Sequence, residues 1–331
     1  MKRWLTPAFL MMLLLLIGSE LVIRLFFQRS MSGRFEYGYH PTAGFEETSD
    51  GLVHLVRSGG RRFYPQTFSK ERPPGTLRVM VFGDSVPQGP TLAGSYAGQL
   101  GEKLRSLGLK AESFNLAIGG NGAQRTQIIL RKALEYHPSL VILHVDNGDE
   151  FEDERDFQRA EAFKSWQPKN WLMKSACLSR LYEFKTEQVF WRWVPAEVRV
   201  LTALNDTGTK GLAGKNPETR RRWDERTRKY TTESVALARA SGATVLLLTE
   251  ARMQRDNNGD FFLDDRGLDD WVPHLVGPGV YSLSMKEILK DKDYAPLFSD
   301  GTHLRPPGHA LMTDVIVEKL RREAVLVSSP N

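Results

Sequence analysis

Residues 77–82, Leu-Arg-Val-Met-Val-Phe, run without a break into Gly83-Asp84-Ser85, and this junction limits what the chain can become more than any other stretch. A nearly continuous apolar run of strand length reads as a strand buried on both faces, which belongs inside a parallel sheet. The small, turn-forming residues that end it lift a serine hydroxyl above the carboxyl edge of the strand, where open α/β sheets bind their ligands. Taken alone, Gly-Asp-Ser also fits a plain strand-ending turn with a capping serine. Its meaning depends on Asp300-Gly301-Thr302-His303 far downstream. That segment offers a general base and an orienting carboxylate on one loop, ahead of Pro306, Pro307 and a helical run.

After the first strand, apolar runs of strand length alternate with helical patterns. Helices are predicted over 96–107, 124–136, 225–240 and 308–322, and strands over 111–116, 140–145, 244–248 and, more weakly, 280–283. This βαβ alternation implies a three-layer αβα sandwich with a central parallel sheet covered by helices on both faces. A chain of 331 residues with 41% hydrophobic content can bury such a core and carry appendages. Residues 31–75, rich in glycine, aromatic and charged residues, read as a stem, the main domain spans 76–325, and 326–331 form a tail.

Residues 151–220 interrupt the alternation. They carry Trp166, Trp171, Trp191 and Trp193, then a glycine-rich piece from Gly208 to Gly214. An insertion between a strand and its following helix belongs at the strand's carboxyl end, beside the site. It reads as the core of a small helical subdomain, with a lid or a glycan platform as the functional alternative.

At the N-terminus, Lys2 and Arg3 precede an almost unbroken apolar run over 5–17, and apolar residues resume over 21–27 past Glu20. No Ala-x-Ala cleavage site follows, so residues 1–30 are expected to be an uncleaved transmembrane anchor and not a removed signal peptide. The positive-inside rule then places the rest of the chain on the extracytoplasmic side, in the periplasm or outside the cell. The 45 Lys and Arg against 40 Asp and Glu leave a net charge of +5, which gives no reason to invoke nucleic acid. With Cys177 as its one cysteine, the chain has no intramolecular disulfide.

Residues just past each predicted strand supply the parts acyl transfer needs. Ser85 follows the first, Asn115 to Gly122 the second, and Asp146-Asn147-Gly148-Asp149 the third, with Asp300 and His303 before the last helix. A serine is a poor nucleophile until an imidazole takes its proton, and the tetrahedral oxyanion needs fixed N–H donors, a role for which glycine backbone and an asparagine amide suit.

These residues resemble the SGNH hydrolases of the GDSL esterase/lipase superfamily, over roughly residues 76–325, in the membrane-anchored bacterial form. Gly83, Asp84 and Ser85 match the first motif, Gly120 the oxyanion glycine, and Asp300 and His303 the final Asp-x-x-His. The third motif, Gly-x-Asn-Asp, is altered here to Asp146-Asn147-Gly148-Asp149, and the oxyanion role is carried to Asn147. The resemblance implies a flavodoxin-like SGNH fold and a catalytic triad of Ser85, His303 and Asp300. It also implies an oxyanion hole of Ser85, Gly120 and Asn147, with no metal and no cofactor. The implied activity is a carboxylic ester hydrolase that removes short acyl groups, O-acetyl above all, from envelope or extracellular carbohydrate. An O-acyltransferase using the same residues is one alternative, and a membrane-tethered glycan-binding module without catalysis is another.

Lesser candidates remain. His144 reads as a hydrogen-bonded structural histidine. Residues 256–260 with Asp264 superficially resemble a calcium loop, but Phe261 stands where that pattern needs glycine, so an Asn/Gly turn is expected. The run of Arg220, Arg221, Arg222, Arg226, Arg228 and Lys229 reads as a solvated helix face. Asn205-Asp206-Thr207 matches a glycosylation sequon. A metal phosphoesterase built on Asp84, Asp146, Asp149 and Asp300 leaves the serine and histidine unexplained.

Overall fold

The structure, a computed structural model, describes residues 2–35, 44–58, 61–154 and 216–326. Helix α1 (Lys2–Phe35) is followed by a three-stranded antiparallel sheet of β1 (Phe45–Glu47), β2 (Leu52–Ser58) and β3 (Arg61–Ser69). Next come β4 (Leu77–Phe82), α2 (Ser85–Gln88), α3 (Tyr96–Ser106), β5 (Ala111–Asn115), α4 (Ala123–Ala133) and β6 (Leu140–Val145). Beyond the insertion lie α5 (Pro217–Ala240), β7 (Thr244–Thr249), a hairpin of β8 (Arg252–Arg255) and β9 (Phe261–Asp264), β10 (Val280–Ser284), α6 (Met285–Leu289) and α7 (Pro306–Arg322).

The central sheet has the order β10-β7-β6-β4-β5 and is parallel throughout. Numbered within this sheet alone, the order is 2-1-3-4-5, the flavodoxin-like winding, and it reverses direction between β4 and β6. Its three inner strands, β7, β6 and β4, are buried on both faces, as their apolar runs require. Val79 and Val81, with Leu140, Ile142, Leu246 and Leu248, meet Tyr96, Leu100 and Leu104 of α3 and Met312, Ile316 and Leu320 of α7. Met80 and Phe82, with Leu143, Val145 and Leu247, face Ile129 and Leu130 of α4 and Val235 of α5. Each such side chain, fully removed from water, contributes about 1.5–3 kcal/mol.

Seven of the nine elements expected around the sheet match within about two residues. α4 ends at Ala133 and continues as a tight turn to Tyr136. α5 departs most: it starts at Pro217, eight residues before the expected 225. Asn216 caps it by accepting from the N–H groups of Glu218 and Thr219, and Pro217 takes its first position. The first two turns are charged and mostly exposed, so they carry little apolar periodicity.

The expected stem is a sheet built into the domain. Phe45, Val53, Leu55, Phe63 and Phe68 join the core on the α4 side, with Phe68 against Phe114 at 4.6 Å between ring centres and Phe45 against Tyr136 at 5.4 Å. Gln66 exchanges two hydrogen bonds with the backbone of Asn115, at 2.8 and 2.9 Å, and so extends the ladder of β5.

Among the described residues, no helix is both long and apolar enough to cross a membrane. The transmembrane span expected over residues 1–30 is therefore not established by the described residues. Residues 155–215, with Cys177, the four insertion tryptophans and the sequon, lie outside them, as does the tail from 327 onward.

Candidate active site

Ser85 is the first residue of α2, directly past the end of β4 at the point where the strand order reverses. Gly83 makes the turn possible. Its φ is +149°, and a Cβ there would lie 2.7 Å from Pro87 Cγ and 2.8 Å from His144 Cβ, so no other residue fits without moving β6. Asp84 caps α2 by accepting from Val86 N–H at 3.0 Å. Sequence and local geometry thus combine to raise the hydroxyl above the sheet.

The loop before α7 brings the base. Ser299 N–H donates to His303 O at 2.8 Å, and Asp300 Oδ1 accepts from the N–H groups of Thr302 and His303 at 2.7 and 2.8 Å. The β8 strand pins this loop through Met253 N–H to Gly301 O at 2.8 Å. His303 Nδ1 then lies 2.7 Å from Asp300 Oδ2, and His303 Nε2 lies 2.9 Å from Ser85 Oγ. Burial pushes the Asp300 carboxyl up, but the backbone N–H and imidazole of His303 and the N–H of Thr302 outweigh it and hold the carboxyl below its usual range. The side chains of His303 and Asp300 are 46% and 56% exposed, so the relay opens onto solvent.

The second strand's loop lies against the serine. A Cβ on Gly119 would stand 3.4 Å from Ser85 Cβ, and Gly119 N–H donates to Gln88 Oε1 at 2.9 Å. Gly120 follows at φ +73°, with its carbonyl accepting from the buried Arg125 guanidinium at 2.8 Å. Asn115 underpins both loops: its amide donates to Pro87 O, Gln88 O and Ser95 Oγ, and its carbonyl accepts from Ala117 N–H. Tyr64 of the small sheet reaches in as well, donating to Gly89 O at 2.8 Å. Gly119, Gln88 and Tyr64 carry no motif of their own. Only the position of Gly119, one residue before the matched glycine, signals its role.

The structure does not bring Asn147 to the serine. Its amide Nδ2 donates to Asp224 Oδ1 on α5 at 3.1 Å and to Arg266 O at 3.2 Å, which uses both hydrogens. The expectation that Asn147 supplies an oxyanion donor is corrected accordingly. The cause is the altered third motif: Asp146 Oδ2 accepts from Gly148 and Asp149 N–H, closing a turn that leaves Gly148 against the guanidiniums of Arg252 and Arg266. Nor do Asp84, Asp146, Asp149 and Asp300 surround one ion, because the Asp300 carboxylate is turned to His303.

Below the serine lies a buried polar cluster. Asp84, Asp146, Asp149 and Glu250 are 2–9% exposed, with Arg252 donating to Asp146 and Glu250 at 3.1 and 2.7 Å. Burial first, then the charges of Glu250, Asp146 and Asp149, push the Asp84 carboxyl well above its ordinary range. Burial acts the same way on Asp146, but Arg252 and Arg266 outweigh it and hold that carboxyl low. His144 is hydrogen-bonded within the cluster, as expected, with Nδ1 3.0 Å from Tyr96 Oη. Residues 256–260 form the turn of the β8–β9 hairpin, where Asp256 Oδ1 accepts from the N–H groups of Asn258 and Asp260.

Fold and site together define a doubly wound α/β protein with a serine–histidine–aspartate relay at its topological switch point. No protein-family model and no curated protein matches the chain. Solved structures similar to it include an acetyl xylan esterase (16% identity over 74% of this chain and 100% of that one, TM-score 0.43). Two others are a mutant of an acetyl-xylooligosaccharide esterase from Geobacillus stearmophilus (11%, 74% and 94%, TM-score 0.43) and a GDSL-like lipase from Bacteroides thetaiotaomicron (10%, 75% and 89%, TM-score 0.38).

Proposed function

We propose that the chain is a serine esterase of the SGNH type that works through an acyl-enzyme on Ser85. The observation that carries this is the continuous relay from Asp300 Oδ2 through His303 to Ser85 Oγ, with legs of 2.7 and 2.9 Å. His303 Nε2 takes the Ser85 proton as Oγ attacks the ester carbonyl, and Asp300 fixes the tautomer and balances the imidazolium. The oxyanion is met by the N–H groups of Ser85 and Gly120, each such donor being worth about 2.7–4 kcal/mol in the transition state. The imidazolium returns the proton to the departing alkoxide. His303 then deprotonates a water that attacks the acyl-enzyme, releasing the acid and restoring Ser85.

A relay half open to solvent suits a short acyl group presented at the surface of a large hydrophilic molecule better than a lipid tail, which needs an apolar tunnel. The substrate class that fits is an O-acetylated carbohydrate. The uncovered apolar side chains of α1, Phe9 through Ile17 together with Leu21, Val22 and Leu25, call for a non-aqueous partner. Membrane attachment through α1, with the catalytic domain on the extracytoplasmic side, is the reading that provides one.

Fluorophosphonate labelling followed by peptide mapping tests the mechanism. Label on Ser85, together with loss of ester turnover by at least about 10³ in Ser85→Ala, is expected. An unlabelled Ser85 in folded protein would falsify it. Partition of the full-length chain into liposomes, and its loss on deletion of residues 2–35, is the matching test of attachment.

A further inference from the structure

Asp84, His144 and Glu250 sit at the carboxyl ends of three adjacent strands, β4, β6 and β7, and each offers one ligand atom within 4.8 Å of the other two. All three are buried, at 2, 5 and 2% exposure. Two of the atoms facing one another, His144 Nε2 and Glu250 Oε2, have no hydrogen-bond partner among the described residues. They lie 3.5 Å apart. That is long for an N–H···O bond, but close to the ~3.4 Å between two ligands of one tetrahedral ion with bonds of ~2.1 Å.

The other side of each ligand is already tied down. Asp84 accepts from Val86 N–H at 3.0 Å, Glu250 Oε1 from Arg252 Nε at 2.7 Å, and His144 Nδ1 faces Tyr96 Oη at 3.0 Å. With Nδ1–H donating to the tyrosine oxygen, Nε2 presents its lone pair to Glu250 and Asp84, the way histidine ligands are oriented from behind.

We propose that Asp84, His144 and Glu250 bind one divalent cation, Mn²⁺ or Zn²⁺, beneath the nucleophile turn. One imidazole and two carboxylates without thiolate suit these ions. The cation takes no part in the serine chemistry. It ties three strand ends together under Ser85, and its binding displaces any protons held by the three ligands.

The test uses full-length protein stripped with a chelator, then given Mn²⁺ or Zn²⁺ and desalted. Elemental mass spectrometry is expected to find about one ion per chain, with a thermal midpoint raised by several degrees. His144→Gln and Glu250→Gln are each expected to weaken retention at least about tenfold. Ser85→Ala, expected to abolish turnover, and Asp256→Asn at the exposed turn of the β8–β9 hairpin are expected to retain the full equivalent, so a failed esterase mechanism and a failed cation site give different results. No retained ion with an unchanged midpoint, or full retention in both glutamine variants, overturns the proposal. Should the variants not fold, electron spin-echo modulation of bound Mn²⁺ decides: nitrogen coupling from one imidazole supports the site, and its absence overturns it.

Discussion

Ser85, Asp300 and His303 were legible in the sequence because their geometry is local. A strand end dictates where Ser85 points, and an Asx-type turn dictates that Asp300 faces His303. Asn147 was not legible, because its partners Asp224 and Arg266 lie far along the chain and only folding decides between them and the serine. The two asparagine roles separate by mutation. Asn147→Ala is expected to leave kcat within about threefold while lowering stability by about 1–3 kcal/mol, since it strips partners from Asp224 and a backbone carbonyl. Turnover reduced by about 10²–10³ with unchanged stability would restore the amide to the oxyanion hole. Asp300→Asn, by contrast, is expected to slow turnover by about 10²–10⁴ with little change in KM, because it disturbs the His303 tautomer and leaves the imidazolium without a counter-charge.

At the scale of elements, the N-cap of α4 is Gly122, which has no side chain to cap the helix, and the start of the insertion does that work. Asp153 accepts from the N–H groups of Gly122 and Arg125 at 3.0 Å and pairs with the Arg125 side chain, while Glu150 accepts from Ala123 N–H at 2.8 Å and Arg226 at 3.1 Å. Glu150 and Asp153 stand where the insertion begins, in a stretch whose charge gives no sign of burial, yet both fold inward as a buried cap, a distinction periodicity cannot make. Two carboxylates at one helix terminus repel. Burial first, then the Asp153 charge, push Glu150 up to about 8, against the Ala123 N–H and Arg226, which lower it. Its folded pKa lies above the unfolded value of about 4.3, so its contribution is complete below about pH 4 and is lost as pH rises through 8. Glu150→Gln, which keeps an acceptor for Ala123, is expected to gain stability relative to the unmutated protein as pH rises from 5 to 9, by at least about 1 kcal/mol across that window. Urea titrations that stay parallel at every pH would show that Glu150 carries no such penalty.

For the molecule as a whole, the doubly wound core was readable because strands buried on both faces leave unbroken apolar runs. The small antiparallel sheet was not, because its inward residues follow no steady alternation. A register shift between Leu55 and Arg57 breaks β2, and Pro65 interrupts β3 between Phe63 and Phe68. Besides its aromatic packing, that sheet is tied to the core by Arg78, fully buried inside β4. Its guanidinium donates to Ser69 O at 2.9 Å, Tyr136 O at 2.7 Å and Glu112 Oε1 at 2.5 Å, and stacks 5.3 Å from the Phe68 ring centre. One side chain therefore ties the end of β3, the turn after α4 and the edge strand β5 to the strand that carries the nucleophile. Arg78→Met keeps much of the volume but orphans buried carbonyls and one carboxylate, for an expected loss of about 3–5 kcal/mol. Because Tyr64 of the same sheet holds Gly89 behind the serine, the loss is expected to reach the site as well, with turnover falling before global unfolding as denaturant is raised. If activity and fold were instead lost at the same denaturant concentration as in the unmutated protein, Arg78 would not be the link between the small sheet and the nucleophile turn.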